Sequence, residues 1–229
     1  INAMVYVRGN PKDFDQWSEA GNPGWSYSDV LPYFKKMESW QNGPDDYRGG
    51  DGPLNVSEVS EQLHPLCQNF LSAAQEIGIG LNKDMNGATQ EGVGNYQITT
   101  HKGQRMSSSR AYLWPIKGRT NLTIIKNAQA TKILTQDKKA FGIEYKKSGK
   151  IHQAIAKCEV ILSAGSINSP HLLQLSGIGP KNALKKASIP LVHDSPGVGE
   201  NLQDHVGVSY FYKSKVPTLN DQLRPVLGK

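Results

Sequence analysis

Several side chains that could take part in catalysis are present, but their spacing does not assemble a nucleophilic site. Ser166, Ser169, Asp204 and His205 are the residue types of a serine hydrolase. However, no serine has a glycine both two positions before and two positions after it, which the sharp turn of a nucleophile elbow requires. The other five histidines lie in no pattern typical of proton transfer. We therefore assign no catalytic residue to this chain.

The cysteines form neither a metal motif nor a redox motif. Cys67 and Cys158 are the only two cysteines, and they are far apart in the sequence. His64 stands three residues before Cys67, but Pro65 lies between them and no second ligand pair follows, as a zinc site would need. The sequence predicts no metal site, and both cysteines are expected to be small buried side chains.

Three segments carry residues that can bind phosphate. Residues 177–179 and 197–199 each begin a glycine pattern of the dinucleotide-binding type, but both lack the third glycine and the flanking elements. Arg105 precedes a run of three serines at 107–109, and a guanidinium with three hydroxyls could clamp a phosphate. The same run could equally form a polar turn before a helix at 111–113, so both interpretations stay open.

Charge and composition exclude two classes of protein. The formal net charge is +6, and the lysines are spread over separate pairs, which is typical of solvated faces rather than of a nucleic-acid-binding stripe. The longest apolar runs, such as 160–164, are far shorter than the roughly 20 residues that cross a bilayer. We expect a globular protein with many turns, whose partners do not include nucleic acid.

Periodic apolar residues predict the helices that must carry these side chains. Helices are expected at residues 28–37, 66–77, 170–176 and 180–187. In the third of these helices, Ser169 is expected to be the N-cap and Pro170 the first helical residue. Six glycines and prolines between Gly43 and Pro53 predict a mobile surface loop over residues 41–53, because few apolar anchors accompany them.

The apolar pattern changes after residue 120 and predicts strands. A meander of residues 122–125, 130–134 and 141–145 is expected, and a further strand at 189–193. Residues 158–163 form a continuous apolar run that ends in Ala164 and Gly165. Such a run is typical of a central strand that is buried on both faces.

Two segments carry a resemblance to a known family. Residues 165–179 contain a glycine, a Ser-Pro pair, paired leucines and Ser-Gly-Ile-Gly in that order. This segment resembles the second sequence signature of the glucose–methanol–choline (GMC) oxidoreductases, and residues 1–15 resemble the second half of the first signature. Residues 103–113 and 196–205 are also similar to family segments in family order. The resemblance therefore covers essentially the whole chain.

The resemblance implies the fold and its organisation. It implies a mixed α/β fold, in which part of an FAD-binding, Rossmann-like domain is interleaved with part of a substrate-binding domain. Residues 1–48 and 119–205 would belong to the FAD-binding domain. Residues 49–118 would belong to the substrate-binding domain, and residues 206–229 would start its second segment.

Residues 6–17 and 24–34 are most similar to the choline dehydrogenase branch of the family. This similarity implies a parent enzyme in which FAD accepts a hydride from a primary alcohol such as choline, giving an aldehyde. Its substrate would be a small alcohol, and its electron acceptor would be oxygen or a membrane-linked carrier. The implied location is the cytoplasm or the inner face of a membrane.

The resemblance also assigns cofactor contacts to Asn2, Ala3, Met4, Val5, Ala130 and Gly165. Residues 2–5 would lie along the pyrophosphate and the flavin ring of FAD. The carboxamide of Asn2 suits that place because it can donate and accept hydrogen bonds without adding negative charge. The backbone of Ala130 would meet the adenine. The turn at Gly165 would close over the adenine end, because a glycine permits close approach of backbone to ligand.

The resemblance places the glycine-rich phosphate-binding turn before Ile1 and the proton-accepting histidine after Lys229. We therefore expect the 229-residue chain by itself to be inactive toward choline and to lose FAD during gel filtration. A protein peak that stays yellow after FAD is added would contradict this expectation. An unpaired edge at residues 158–163 would also let copies of the fragment associate. The alternative interpretation is a binding or structural domain derived from the same family.

Overall fold

The structure is a computed structural model and describes residues 3–219 and residue 221. These described residues form two compact units, one within the ranges 1–122 and 212–229 and one of residues 123–211. Helices and strands occur in both units, so the expected mixture of helix and strand is confirmed.

Two helices with matching N-terminal caps open the first unit. The side chain of Asn10 caps α1 (Pro11–Glu19), and that of Ser26 caps α2 (Tyr27–Met37), so the helix predicted at 28–37 is confirmed. In each helix, an aspartate three positions after the cap bonds back to the cap backbone. This capping box fixes where each helix starts. Aromatic rings from the two helices pack against one another.

Short strands build the sheet of the first unit. β1 (Glu38–Trp40) pairs in parallel with β2 (Leu54–Val56). Immediately after β2, Ser57 forms an antiparallel bridge to Ile98, and Ile98 forms a second bridge to Val5. The N-terminal residues are therefore tied to this sheet by backbone pairing. The hydrophobic core beside it consists of Tyr6, Trp40, Leu54, Val56, Met106 and Ala111.

The longest later helix of the first unit is α3 (Pro65–Glu76). The His64 side chain is its N-cap, and Gly78 follows its end with a φ of +89°, so the helix predicted at 66–77 is confirmed. The remaining elements are a 3-10 turn at Ser60–Gln62, an antiparallel hairpin of β3 (Thr100–His101) and β4 (Gln104–Arg105), a π-helical turn at Ser109–Leu113 and a 3-10 turn at Trp114–Ile116.

A buried cluster of charges lies at the start of β1. Glu38 is completely buried, and its carboxylate accepts from Nη2 of Arg8 at 2.7 Å and from Nη2 of Arg48 at 2.6 Å. Arg48 is also completely buried, and it reaches Oδ1 of Asp84 at 2.6 Å. Two cations thus face two anions, so that every charge in the cluster has a partner. Such pairing is what makes buried charges tolerable.

The loop of residues 41–53 is fastened to this cluster. Arg48 belongs to the loop, and the N–H of Gly49 donates to the Glu38 carboxylate at 3.0 Å. The prediction of a mobile loop rested on the small number of apolar anchors and did not foresee these polar, buried ones, and the mobility of the loop stays a prediction. Charged residues in a glycine-rich stretch are normally exposed. Composition therefore gave no sign that Arg48 would point inward.

The second unit contains an antiparallel meander of β5 (Ala128–Gln136), β6 (Lys139–Lys147) and β7 (Lys150–Ile155). The strands predicted at 130–134 and 141–145 are confirmed. The strand predicted at 122–125 is wrong, and β7 takes the third place in the meander. Ser148 and Gly149 both have positive φ, which is the backbone of a two-residue hairpin turn, so local turn geometry pairs β7 with β6.

Residues 158–163 do not form the predicted buried strand. Cys158 is exposed and Ile161 is 77% exposed, while Cys67 is half-buried, so the expectation of two buried cysteines is also wrong. A strand exists through hydrogen bonds to a neighbouring strand. Within the part of the chain that the structure describes, no strand pairs with residues 158–163. An apolar run alone could not reveal that.

α4 (Gly165–Leu175) starts several residues earlier than predicted. Ser169 lies inside the helix instead of capping it, and its Oγ accepts from the N–H of Ala164 at 3.0 Å. The first N–H groups of a helix have no partner within the helix, so this hydroxyl satisfies a donor at the helix start. The predicted end at Ser176 and Gly177 is confirmed.

Short elements close the second unit. α5 (Lys181–Lys186) confirms the helix predicted at 180–187, and β8 (Ile178–Gly179) pairs in parallel with β9 (His193–Asp194). The strand predicted at 189–193 is wrong except at its last residue. The N–H of Ile189 donates to the carbonyl of Leu184, and Pro190 has no N–H, so neither residue can donate to a neighbouring strand.

Replacing Glu38 with glutamine keeps the side-chain shape but removes the charge that balances Arg8 and Arg48. Leaving buried charges without their partner costs about 3–5 kcal/mol. We expect the free energy of unfolding of the first unit to fall by about that amount. All four tryptophans lie in this unit, so urea unfolding followed by tryptophan fluorescence reports on it.

Asp46→Asn is the matched control, because it removes the same charge from an exposed side chain of the same loop. Its effect should stay within about 0.5 kcal/mol. If both substitutions lowered the free energy of unfolding equally, the buried pairing of Glu38 would add nothing to stability beyond the effect of one lost charge.

Gly49→Ala tests how closely the loop packs. An added Cβ would overlap the carbonyl oxygen of Lys35 and lie 2.8 Å from that of Glu38. Because backbone atoms cannot move aside easily, we expect unfolding of the first unit to become easier by about 1–3 kcal/mol or more. The control is Gly118→Ala, where nothing lies within 4 Å of the added atom. Similar urea midpoints for the two variants would contradict the close packing.

Candidate functional site

The N-terminal strip, defined as residues 3–8, carries three of the predicted cofactor contacts. Its side chains alternate, with Tyr6 and Arg8 buried and Val5 47% exposed. Ala3 is exposed as well. The strip is therefore anchored on one face while its other face is open to a ligand.

Backbone hydrogen bonds join the strip to residues 97–99. The N–H of Thr99 donates to the carbonyl of Met4 at 2.8 Å, and the N–H of Tyr6 donates to the carbonyl of Gln97 at 2.9 Å. Met4 has a φ of +68°, which is uncommon for a residue with a side chain. Strain of this kind, of order 1–3 kcal/mol, persists where the surroundings fix the backbone. Here the bonds at Met4 and Tyr6 do so.

Two buried amide side chains support the strip from beneath. Asn86 accepts from the N–H of Arg8 at 2.7 Å and donates to the carbonyl of Tyr6 at 2.9 Å. It also donates to Oε1 of Gln97 at 2.8 Å, and Gln97 donates to Oδ1 of Asp84 at 3.2 Å. These contacts link the strip to the charge cluster. We call the whole set, Arg8, Glu38, Arg48, Asp84, Asn86 and Gln97, the polar network.

The polar network was not predicted from the sequence. Its members are polar residues in loops and turn-rich segments, where a side chain that points inward cannot be told from one that points outward. The one available signal was Gln97, which stands between apolar Tyr96 and Ile98. In an extended segment such a residue faces the opposite side from its neighbours.

Tyr6 sits against this network. Burial raises the pKa of its phenol, and the charge of Glu38 raises the pKa further, while Arg8 and Arg48 oppose the shift. The phenol oxygen lies 3.5 Å from Nε of Arg8. Because the ordinary pKa of tyrosine is about 10, the phenol is protonated at neutral pH and serves as packing and a hydrogen-bond partner.

A hollow of about 690 Å³ opens beside the strip. We call it the serine hollow; it is lined by Leu54, Thr99, Arg105, Met106, Ser107, Ser108 and Ser109. Thr99 connects it to the strip, because Oγ1 of Thr99 donates to the carbonyl of Met4 at 3.3 Å. The N–H of Arg110 donates to Oγ of Ser107 at 3.2 Å, and a π-helical turn follows. The interpretation as a polar turn is thus confirmed, and a phosphate clamp remains a hypothesis.

The other two predicted contacts belong to the second unit. Ala130 lies on β5 opposite Tyr145 of β6, next to an irregularity in the strand pairing, and it is exposed. Gly165 is the first residue of α4, has a φ of +91° and is exposed. Only glycine adopts this conformation readily. α4 packs on β5, and Oγ of Ser176 accepts from the N–H of Ile133 at 2.8 Å.

Within each unit, the structure brings predicted residues together. Ala3, Met4 and Val5 are continuous in the strip of the first unit, and Asn2 lies outside the residues that the structure describes. Ala130 and Gly165 lie on two elements of the second unit that pack together. All six assignments stay predictions.

Two further classes of site are absent from residues 3–219 and 221. No three histidine, cysteine, aspartate or glutamate side chains of this part of the chain come together as a metal site. No helix among these residues combines the length and the apolar character that crossing a bilayer requires.

The chain matches the family model of the GMC oxidoreductases over residues 1–207. It therefore belongs to the GMC oxidoreductase family, as the signatures at 165–179 and 1–15 indicated. The match includes the N-terminal strip, the serine hollow, Ala130 and Gly165.

The similar curated proteins include members of the choline dehydrogenase branch of the family. The chain is 50% identical over 225 residues to the oxygen-dependent choline dehydrogenase of Photobacterium profundum, a match that covers 97% of this chain and 40% of the relative. It is 49% identical over 208 residues to the mitochondrial choline dehydrogenase of Homo sapiens, covering 91% of this chain and 35% of the relative. The chain thus spans about two fifths of the length of the curated relatives that it matches.

Solved structures show the same fold. An FAD-dependent oxidoreductase from Chaetomium thermophilum superposes with a TM-score of 0.83 at 35% identity, covering 89% of this chain and 38% of the other. Pyridoxine 4-oxidase from Mesorbium loti superposes with a TM-score of 0.81 at 29% identity, covering 85% and 38%. The predicted α/β fold of this family is confirmed by these likenesses.

Proposed function

We propose that this chain is part of an FAD-dependent oxidoreductase that acts on the CH–OH group of a primary alcohol such as choline. The observation that carries the proposal is the 50% identity to a choline dehydrogenase over 97% of the chain. The FAD-dependent structural neighbour supports the cofactor. The assignment of residues 1–48 and 119–205 to the cofactor domain and of residues 49–118 and 206–229 to the substrate domain is part of this proposal.

The described residues fit a bound dinucleotide in one respect. They offer accessible backbone groups that rigid elements hold in place. Ala3 and Val5 are exposed on a strip whose backbone is fixed on its other side by Thr99 and Asn86. In the proposal, Asn2 and this strip bind the pyrophosphate and the flavin ring, and they hold the ring in a fixed orientation. Residues that are prevented from moving bind and orient a ligand at lower entropic cost.

In the second unit the proposal uses Ala130 and Gly165. The backbone of Ala130 would hydrogen-bond the adenine. The side chain of Ala130 is only a methyl group, so it does not hinder this contact. Gly165 would let the start of α4 approach the cofactor, since no Cβ projects there and nothing lies within 4 Å of where one would be. When bound, FAD supplies the hydride acceptor of the reaction.

No residue of this chain is proposed as the base. His64 accepts from the N–H of Leu66 as a helix cap, and the ring of His152 stacks on Tyr145 with a centroid distance of 5.4 Å. The remaining histidines are exposed and lie at positions 101, 171, 193 and 205. The part of this chain in the reaction is therefore to bind and orient the cofactor.

The proposal extends to the partners of the parent protein. The substrate is a small alcohol, and the electron acceptor is oxygen, as in the name of the Photobacterium relative, or a membrane-linked carrier. We place the parent in the cytoplasm or at the inner face of a membrane. Self-association of the 229-residue chain is proposed through the apolar residues 158–163, where Ile161 is 77% exposed.

A segment exchange tests the function. The 225 matching residues of the Photobacterium choline dehydrogenase are replaced by those of this chain. If the proposal is right, the chimera keeps stoichiometric FAD through gel filtration and oxidises choline with an artificial electron acceptor. A control chimera receives the matching segment of the human choline dehydrogenase, which shows whether an exchange between such relatives is tolerated.

A chimera that folds but holds no FAD, while the control chimera is active, would sink the proposal. A crystal structure of the active chimera tests the contacts themselves. The backbone of Ala130 and the side chain of Asn2 should lie about 3 Å from FAD atoms, and distances beyond about 6 Å would remove both assignments.

A further inference from the structure

The serine hollow is a concave site that the proposed cofactor contacts do not use. Its volume of about 690 Å³ is within the usual range for pockets that take small molecules, roughly 300–1,000 Å³. A site of this size accommodates a group considerably larger than a single ion.

The hollow is rich in hydrogen-bond donors and contains no carboxylate in its lining. Arg105 contributes a guanidinium, and Ser107, Ser108 and Ser109 contribute three hydroxyls. A guanidinium has five N–H donors in a planar fork, so it can keep a contact within the protein and still donate to a ligand. Because Oγ of Ser107 acts as an acceptor toward Arg110, its own hydrogen stays available for donation.

The floor of the hollow is apolar and fixed. Leu54 and Met106 are each only 9% exposed, and both belong to the core of the first unit. The N–H of Met106 donates to the carbonyl of Thr99 at 3.0 Å, which holds the segment with Arg105 and the serines against the sheet. A charge above an apolar floor is screened less than one in open water, so its attraction for an anion is stronger.

We propose that the serine hollow binds a phosphate group through the guanidinium of Arg105 and the hydroxyls of Ser107, Ser108 and Ser109. A phosphate presents several acceptor oxygens in a tetrahedron, which matches one planar fork and several hydroxyls better than the two oxygens of a carboxylate do. The phosphate group belongs to the dinucleotide of the proposed function or to a separate phosphorylated small molecule. The first of these sources rests on the proposed function, whereas the hollow itself does not.

The position of the hollow favours this chemistry. Thr99 lines the hollow and also donates, through both its N–H and its hydroxyl, to the carbonyl of Met4 in the N-terminal strip. A phosphorylated molecule in the hollow would therefore lie against the strip. The positive charge that such a molecule requires is supplied by Arg105.

Inorganic pyrophosphate is the probe, titrated calorimetrically into the 229-residue chain at low ionic strength. We expect saturable binding, and an at least tenfold weaker affinity for Arg105→Gln, because charge-assisted hydrogen bonds are lost. Lys102→Gln is the matched control, since it removes the same charge from the exposed turn of the same hairpin. It should change the affinity by no more than about twofold.

Two further variants separate charge from geometry. Arg105→Lys keeps the charge but loses the fork, so its affinity should fall between those of the wild type and Arg105→Gln. Ser108→Ala combined with Ser109→Ala should weaken binding with Arg105 intact. Unchanged tryptophan-detected unfolding of each variant shows that the first unit still folds.

Absence of pyrophosphate binding to the wild type, or equal affinities for the wild type and Arg105→Gln, would overturn the proposal. So would displacement of pyrophosphate by an equal concentration of acetate, because the hollow would then select charge alone. If FAD displaces pyrophosphate, the phosphate group belongs to the cofactor. If pyrophosphate binds, but the phosphates of FAD in the crystal structure of the active chimera lie away from Arg105, the hollow serves another phosphorylated molecule. An inactive chimera together with intact pyrophosphate binding would reject the proposed function and keep the hollow.

Discussion

The carboxylate of Glu38 is shared by two arginines that approach it from different parts of the chain, and the arrangement of the first unit depends on this interaction. Arg8 brings the N-terminal strip to β1, and Arg48 brings the loop of residues 41–53. Asp84 then joins the segment that carries Asn86. Because Asn86 bonds the backbone of the strip, the cluster fixes the surface on which the cofactor is proposed to lie.

The chemistry of arginine explains why this cluster can be buried. Burial by itself lowers the pKa of Arg48, but the hydrogen bonds and charges of Glu38 and Asp84 outweigh this and raise the pKa overall, so the side chain remains a cation. Its planar fork reaches both carboxylates at once, which a lysine could not do. The guanidinium carbon also lies 4.1 Å from the centre of the Trp40 ring, so the apolar core accepts its flat face.

Helices and strands were predictable to different degrees, for a physical reason. α2 and α3 are fixed by local signals, namely Ser26 with its capping box and Gly78 beyond the end, and both were predicted correctly. Residues 158–163 were not, because a strand depends on a partner that an apolar run does not specify. Of the candidate site, the resemblance predicted contacts at residues 2–5, Ala130 and Gly165, and these assignments stay predictions. Apart from Gln97, the polar network beneath them gave no signal, since inward and outward polar side chains look alike in loops.

The long sequence separations within the first unit have a consequence for its biogenesis. Met4 is synthesised 95 residues before Thr99, whose hydroxyl and N–H hold its carbonyl. At about 5–20 residues per second, the strip leaves the ribosome roughly 5–20 seconds before its backbone partners exist. During that interval Glu38, which is 30 residues from Arg8, is the earliest element of the cluster that can engage it. The strip is thus made well before the residues that fix its backbone, and chaperones have access to it throughout that interval.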